Sequence, residues 1–477
     1  MKKDGMDMAF NQKYNYHTHT YRSGHSRYVS DETVLEAAKS IGIEMLGFTE
    51  HIPNPELVLP EEDWKMLLSE VDEYIESING LKERHLDMTI LTGMEAEYDP
   101  MREAFMGEMR NKVDYMILGQ HYVRKGLNQE EFNSPDYPIK YAKTVVDGIN
   151  SGLFDIVAHP DIFMKHRDQV APEYRAQFEA NAKIASRMIC ETARDMGIPI
   201  EINLSPSILD RKLSDGYLEY PHPLFWQIAA TIDGLQVVKG VDAHSPNSFY
   251  VANEENQQIK AIEDLVKDKL ILDSYNPVLA RDNNQELKDA LANRQANALT
   301  FATHLITRII QDNLGETGNN LSSNDLATAI NQILDGLKIR CLSNAKNKLH
   351  AISLEADEIK LSPKSLEEKD GKLKRKEKAF KDIDQILLNQ NELIEKAKEA
   401  VNEALARGCE TQPEFICAIS EAIQKETTIQ KTKEDVKQKR LTRNPNQSQG
   451  FISTSLISIV VLVVVLILII FSYLLLQ

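Results

Sequence analysis

From Tyr14 to about Asp282 the chain alternates short apolar runs with longer amphipathic stretches, the rhythm of strands and helices in a parallel sheet or barrel. The runs that read as strands are YNYHTHT, MLGFTEH, TILTGMEAEY, YMILGQHYV, DIVAHPDIF, PIEINLS and QVVKGVDAHSP. Between them, segments such as SDETVLEAAKSIG carry a cap at Ser30 or Asp31, apolar residues at helical spacing and a closing Gly42. Seven such units predict a β/α barrel.

Beyond residue 283 the strand rhythm stops and long polar helical stretches take over. SSNDLATAINQILDGLKIRCL reads as a capped amphipathic helix, and LEEKDGKLKRKEK as a charged, solvated connector. Phe380, Leu387, Ile394 and Val401 then recur every seventh residue, with Ile383, Ala397 and Ala404 at partner positions and Gln390 interrupting. That pattern fits a weak coiled coil, with a helical partner or self-association through 380–405, or equally one helix of an ordinary bundle. Leu456 to Leu476 hold two serines and no charge, a length that as a helix covers the ~30 Å hydrocarbon core of a bilayer. Lys431, Lys433, Lys437, Lys439, Arg440 and Arg443 precede it, and MKKDGMDMAFNQ lacks the apolar run of a secretory signal. The expected organisation is therefore a barrel over 12–282, a helical region over 283–443 and a transmembrane tail anchor over 456–476. The positive flank would keep everything before the anchor in the cytoplasm.

At 477 residues and 42% hydrophobic content the chain can build several cores, which excludes disorder throughout. Its net charge of −17 argues against a general nucleic-acid binder, since phosphate backbones are held by clustered Lys and Arg. Cys190, Cys341, Cys409 and Cys417 are scattered, suggesting neither a disulfide framework nor a CxxC zinc site.

The chemistry concentrates in histidine. YHTHTYRSGH places His17, His19 and His25 within nine residues of a chain that has only 12 histidines. Six of the seven strand runs end in a residue able to bind metal: His17 and His19, Glu50 and His51, Glu95, His121, His159, and Asp242 and His244. In a parallel barrel the C-terminal strand ends converge on one face, so these scattered residues become one cluster. Nitrogen and oxygen donors without thiolate suit divalent ions of Zn, Mn or Fe. A carboxylate such as Glu95 has the two oxygens needed to bridge ions ~3.5 to 4 Å apart.

HxH, TEH, GMEAEY, ILGQHY, AHPD and DAH, in that order over residues 12 to 282, resemble the PHP (polymerase and histidinol phosphatase) domain, and most closely its histidinol-phosphatase-like members. The resemblance implies a distorted (β/α)7 barrel with a trinuclear site. One ion would be held by His17, His19, Glu95 and Asp242, a second by Glu95, His121 and His159, and a third by His25, His51 and His244. It also implies a phosphomonoester hydrolase in which a metal-bridging hydroxide attacks phosphorus, with L-histidinol phosphate as the favoured small substrate and a place in histidine biosynthesis. Lys165 and Arg27 are candidates for binding phosphate, and Asp161 either donates a proton to the leaving alkoxide or supports a ligand histidine. The alternatives are phosphotyrosine-protein or nucleotide substrates, or a membrane-tethered scaffold acting through the helical half.

Overall fold

The computed structural model describes residues 10–24, 26, 28–53, 65–125, 128–129, 131–293, 314, 321–357, 363–411, 414–419 and 421–422. Within these, the βα rhythm is realised unit by unit. The first half runs β1 (Tyr14–Asn15), α1 (Asp31–Ser40), β2 (Met45–His51), α2 (Val71–Arg84), β3 (Thr89–Ala96), α3 (Glu103–Arg110), β4 (Tyr115–Leu118) and α4 (Tyr137–Asn150). The second continues with β5 (Ile156–Val157), α5 (Arg175–Asp195), β6 (Ile200–Asn203), α6 (Pro223–Ala230), β7 (Val237–Gly240) and α7 (Gln257–Leu265). The seven strands form one parallel sheet in sequence order. Local signals work as the sequence implies: Ser30 Oγ accepts the Thr33 N–H at 3.2 Å to start α1, and Gly42 takes φ 87° just past its end.

The sheet curls until its first and last strands meet at the end that carries the histidines. Thr18 bridges Ala243 in parallel, and the His19 N–H reaches the Ala243 carbonyl at 2.9 Å. Below that point, side-chain amides replace backbone pairing. Gln12 donates to the Lys239 carbonyl at 2.8 Å and accepts the Lys239 N–H at 2.8 Å, while Asn15 Oδ1 accepts the Val241 N–H at 2.8 Å. The first strand is accordingly shorter than YNYHTHT: it ends at Asn15, and His17 and His19 lie just past it. Tyr14, Tyr16, Tyr115, Ile117, Ile156 and Val238 fill the barrel below the site, and a larger apolar core lies between strands and helices.

The helical region contains α8 (Ser323–Asp357) and α9 (Pro363–Ala406). They pair antiparallel, with Lys398 Nζ 2.7 Å from Asp335 Oδ1 and Asn331 Nδ2 3.3 Å from Asn402 Oδ1. Ile383, Ile394, Ala397, Val401 and Ala404 are buried, as are Ile330, Ile333 and Leu334 of α8, whereas Phe380 is 38% exposed. Residues 366–378 are not a connector but part of α9; Leu, Glu and Lys are strong helix formers, and no proline interrupts them after Pro363.

The expected transmembrane helix and tail anchor need correction. No helix among the described residues is long and apolar enough to cross a membrane. The two long helices, α8 and α9, are studded with charged side chains, and the apolar run 456–476 lies outside the described residues. The membrane contact and the localisation built on that run therefore have no support, and the fold is a nearly closed seven-stranded parallel barrel with helices.

Candidate metal centre

Strand register brings the first residues together. In the β2–β3 ladder His51 is paired with Glu95, and Glu95 with Ile117 of β4 in the next ladder. Side chains alternate along a strand, so Glu95 turns inward with the end of its strand already at the mouth of the barrel. There it meets His51 Nδ1 at 2.9 Å and His159 Nε2 at 2.9 Å, with His19 Nε2 at 3.3 Å and His17 Nε2 at 3.5 Å. Asp242 Oδ1 closes the other side, 3.3 Å from Nε2 of both His17 and His19. His19 stacks between His51 and His244, with ring centroids 4.2 and 4.4 Å away.

Three groups of candidate donors result: His17, His19 and Glu95; Glu95, His121 and His159; and His19, His51 and His244. Within each, the donor atoms lie within 4.8 Å of one another. Of the expected residues, His25 and Arg27 lie outside the described residues. The backbone is strained where two candidates are aimed: His159 has φ 29° and Asp242 φ 51°. Such conformations cost non-glycine residues of order 1–3 kcal/mol and persist where the surroundings enforce them.

Electrostatics fit a cation-binding cluster. His17 Nε2 is buried and makes no hydrogen bond. Buried polar atoms ordinarily have partners, and nitrogen and carboxylate oxygen without thiolate are the donors that divalent ions take. Burial pushes toward the neutral forms. The carboxylates of Glu201, Asp242 and Glu95 override it at His17 and hold that imidazole's pKa well above its usual value. At His51 burial wins, and its pKa lies well below the ordinary value. Glu95 is held well below the carboxylate range because His51, His17 and His121 outweigh its desolvation.

Carboxylates behind the histidines set their orientation. Glu201 Oε1 is 2.9 Å from His17 Nδ1, and Glu201 Oε2 accepts the His159 N–H at 2.9 Å and an Asn203 Nδ2 hydrogen at 2.9 Å. Glu97 Oε1 is 3.0 Å from His121 Nδ1, and its other oxygen pairs with the buried Lys65. Glu50, expected only as part of the strand-end row, faces His19 Nδ1 at 3.5 Å. Glu201 and Glu97 escape a reading of strand ends. Glu201 sits within PIEINLS, the one run without a terminal donor, and its same-face spacing to Asn203 is the signal that marks it.

A cavity of about 490 Å³ opens over the cluster, lined by His51, His121, Asp242 and His244. Ile162, Ile208, Leu209 and Tyr220 give it apolar surface, and Lys165 and Arg211 supply positive charge. Lys165 was expected there; Arg211, in the irregular stretch after β6, was not. Asp161 is fully buried instead, its Oδ2 accepting the His222 N–H at 2.6 Å, and burial pushes its carboxyl up to about 7.

Residues 15–204 match the PHP domain family. Over that segment the chain is similar to a PHP domain. The PHP match ends at the close of β6, so Asp242 and His244 lie beyond it and join the cluster through barrel closure. Histidinol-phosphatase of Bacillus subtilis (strain 168) is 31% identical over 121 residues, 24% of this chain and 45% of that protein. The chain thus spans less than half the length of this curated relative. Among solved structures, a putative histidinol phosphatase from Listeria monocytogenes has 18% identity and a TM-score of 0.42, covering 50% of this chain and 97% of that one. The histidinol phosphate phosphatase of Lactococcus lactis subsp. lactis, in complex with zinc, L-histidinol and phosphate, has 17% identity and a TM-score of 0.41, covering 56% and 98%.

Proposed function

We propose that this chain is a divalent-metal-dependent phosphomonoester hydrolase acting on L-histidinol phosphate. The observation that carries the reading is the convergence of His17, His19, His51, His121, His159, His244, Glu95 and Asp242 at the mouth of one barrel, beneath a cavity that presents Lys165 and Arg211. His17, His19, Glu95 and Asp242 would hold one ion and Glu95, His121 and His159 a second, while His51 and His244 face a third position beside His19. Bound divalent ions supply an acidified water and neutralise charge on phosphoryl oxygens.

The chain's own groups do the rest. Lys165 and Arg211 attract the phosphate dianion and hold it against the cluster, with the guanidinium able to grip two oxygens at once. Ile162, Ile208, Leu209 and Tyr220 take the organic part of the ester and exclude water around it. Glu201, Glu97 and Glu50 keep the Nδ1 atoms of His17, His121 and His19 engaged, so that Nε2 faces the centre in each ring. Asp161, buried and able to hold a proton near neutral pH, is anchored by the His222 N–H within the turn that the Ile162 N–H closes on the His159 carbonyl, a supporting place behind that histidine.

The likeness to a histidinol-phosphatase over 121 residues supports histidinol phosphate as the substrate. The test compares kcat/KM for L-histidinol phosphate, a phosphotyrosine peptide and a nucleoside monophosphate on the metal-loaded protein. A value for histidinol phosphate at least about tenfold above the others supports this substrate; a higher value for either competitor replaces it.

A further inference from the structure

The helical region touches the barrel where a buried polar chain leads to the metal centre. Arg22 is 1% exposed, and its Nη1 donates to both oxygens of Asp31 at 3.1 Å and to Thr20 Oγ1 at 3.2 Å. Its Nη2 donates to Glu73 Oε1 on α2 at 3.1 Å. The second oxygen of that carboxylate, Oε2, receives Lys378 Nζ of α9 at 3.3 Å. One turn further along α9, Asp382 Oδ2 accepts the Ser69 N–H at 3.0 Å. At the other end, the Thr20 N–H and hydroxyl both donate to Glu50 Oε2, and Glu50 Oε1 faces His19 Nδ1.

The direction of each bond is fixed by chemistry. A guanidinium has only donors, so Thr20 Oγ1 must accept from Arg22 and can give its own hydrogen only to Glu50. Glu50, held on that side, turns its other oxygen toward the His51 N–H at 3.4 Å and toward His19 Nδ1 at 3.5 Å. With Nδ1 on the Glu50 side, the ring of His19 turns its Nε2 toward Glu95 and Asp242, 3.3 Å from each. Glu73 is the hinge of the arrangement, because its two oxygens serve the barrel's Arg22 and the arm's Lys378 simultaneously.

We propose that the α8–α9 arm positions the metal centre, with Lys378, Glu73, Arg22 and Thr20 as positioning residues that fix the orientation of His19. The proposal rests on the reading of the histidine cluster as a metal centre. It assigns the helical region a role in the reaction that a separate appended domain would not have.

The test measures Co²⁺ affinity and the Co²⁺ absorption spectrum of the full-length protein, with kcat and KM for p-nitrophenyl phosphate and the thermal midpoint alongside. Thr20→Val, which keeps the shape and removes the hydroxyl, and Glu73→Gln should each weaken Co²⁺ binding about 10-fold and alter the spectrum. Both should lower kcat while KM stays within about twofold, since these residues do not touch substrate. Lys378→Met, breaking a half-exposed pair, should move Co²⁺ affinity about two- to fivefold in the same direction. Lys398→Met, which breaks the arm's internal pair with Asp335, should leave Co²⁺ binding unchanged. Wild-type protein that binds Co²⁺, with Thr20→Val and Glu73→Gln indistinguishable from it except in thermal midpoint, overturns the positioning role alone. An effect of Thr20→Val with none from Lys378→Met overturns the arm's part in it. Wild-type protein that binds no Co²⁺ overturns both this proposal and the metal-centre reading beneath it.

Discussion

Glu201 Oε1 stands 2.9 Å from His17 Nδ1, and the opposite oxygen of the same carboxylate takes the His159 N–H at 2.9 Å. One side chain from β6 thus braces two candidate ligands that lie 142 positions apart in the chain. Glu201→Gln keeps the size but removes the charge that fixes His17 as a Nδ1 donor. Metal affinity should fall about 10- to 100-fold, measured by competition with a chromophoric chelator, while the far-ultraviolet circular dichroism is preserved. Unchanged affinity would reduce Glu201 to a packing role.

Close approach of a carboxylate to backbone explains Gly119. A Cβ there would fall 1.7 Å from Glu95 Oε1. Gly119→Ala should therefore displace Glu95, abolish metal retention and cost about 1–3 kcal/mol in urea unfolding, the usual price of overpacking a well-filled site. Gly107 of α3 provides the contrast, since a Cβ there meets nothing within 4 Å. Gly107→Ala should be neutral or stabilising by up to about 1 kcal/mol, because alanine loses less backbone freedom in a helix.

Lys165 gives the site a pH dependence with a definite sign. Burial lowers its pKa from the ordinary lysine value, the neighbouring Arg211 adds to the effect and Glu219 opposes it. An amine is charged below its pKa, so attraction for phosphate is complete at lower pH and lost as pH rises through that lowered value. KM should rise on the alkaline side earlier than an ordinary lysine would allow. Lys165→Arg should carry the rise to higher pH, and Lys165→Met should remove it while raising KM about 10-fold at neutral pH, the scale of one charge-assisted hydrogen bond. A KM profile that ignores both substitutions would exclude Lys165 from binding.

What the sequence made legible, and what it hid, divides along physical lines. The alternation of strand and helix is local, and it locates the ends of most strands, although the first stops at Asn15, short of His17 and His19. His51, Glu95, His121 and His159 could be gathered on one face because each sits at or just past such an end. Supporting groups depend on contacts between distant segments. Glu201 fits only because Gly240 leaves room for it on the neighbouring strand, where a Cβ would lie 1.7 Å from its Oε1. Gln12 and Asn15 close the barrel with side-chain amides, which no strand pattern announces. Arg211 follows Asp210, a residue at φ 49°, in an irregular stretch whose path hydrophobic periodicity does not encode. Charge alone misled at 366–378, where a run that reads as a solvated connector is a helix built from good helix formers.

Phosphate release from p-nitrophenyl phosphate, followed on the purified protein, after chelation, and after Mn²⁺ or Zn²⁺ is restored, decides whether the histidine cluster is a working metal centre. The expected result is turnover that disappears on chelation, returns with the ions, and is lost in Glu95→Ala, whose carboxylate meets His17, His19, His51 and His159. Turnover that survives complete metal removal, or a Glu95→Ala protein as active as the wild type, would contradict it.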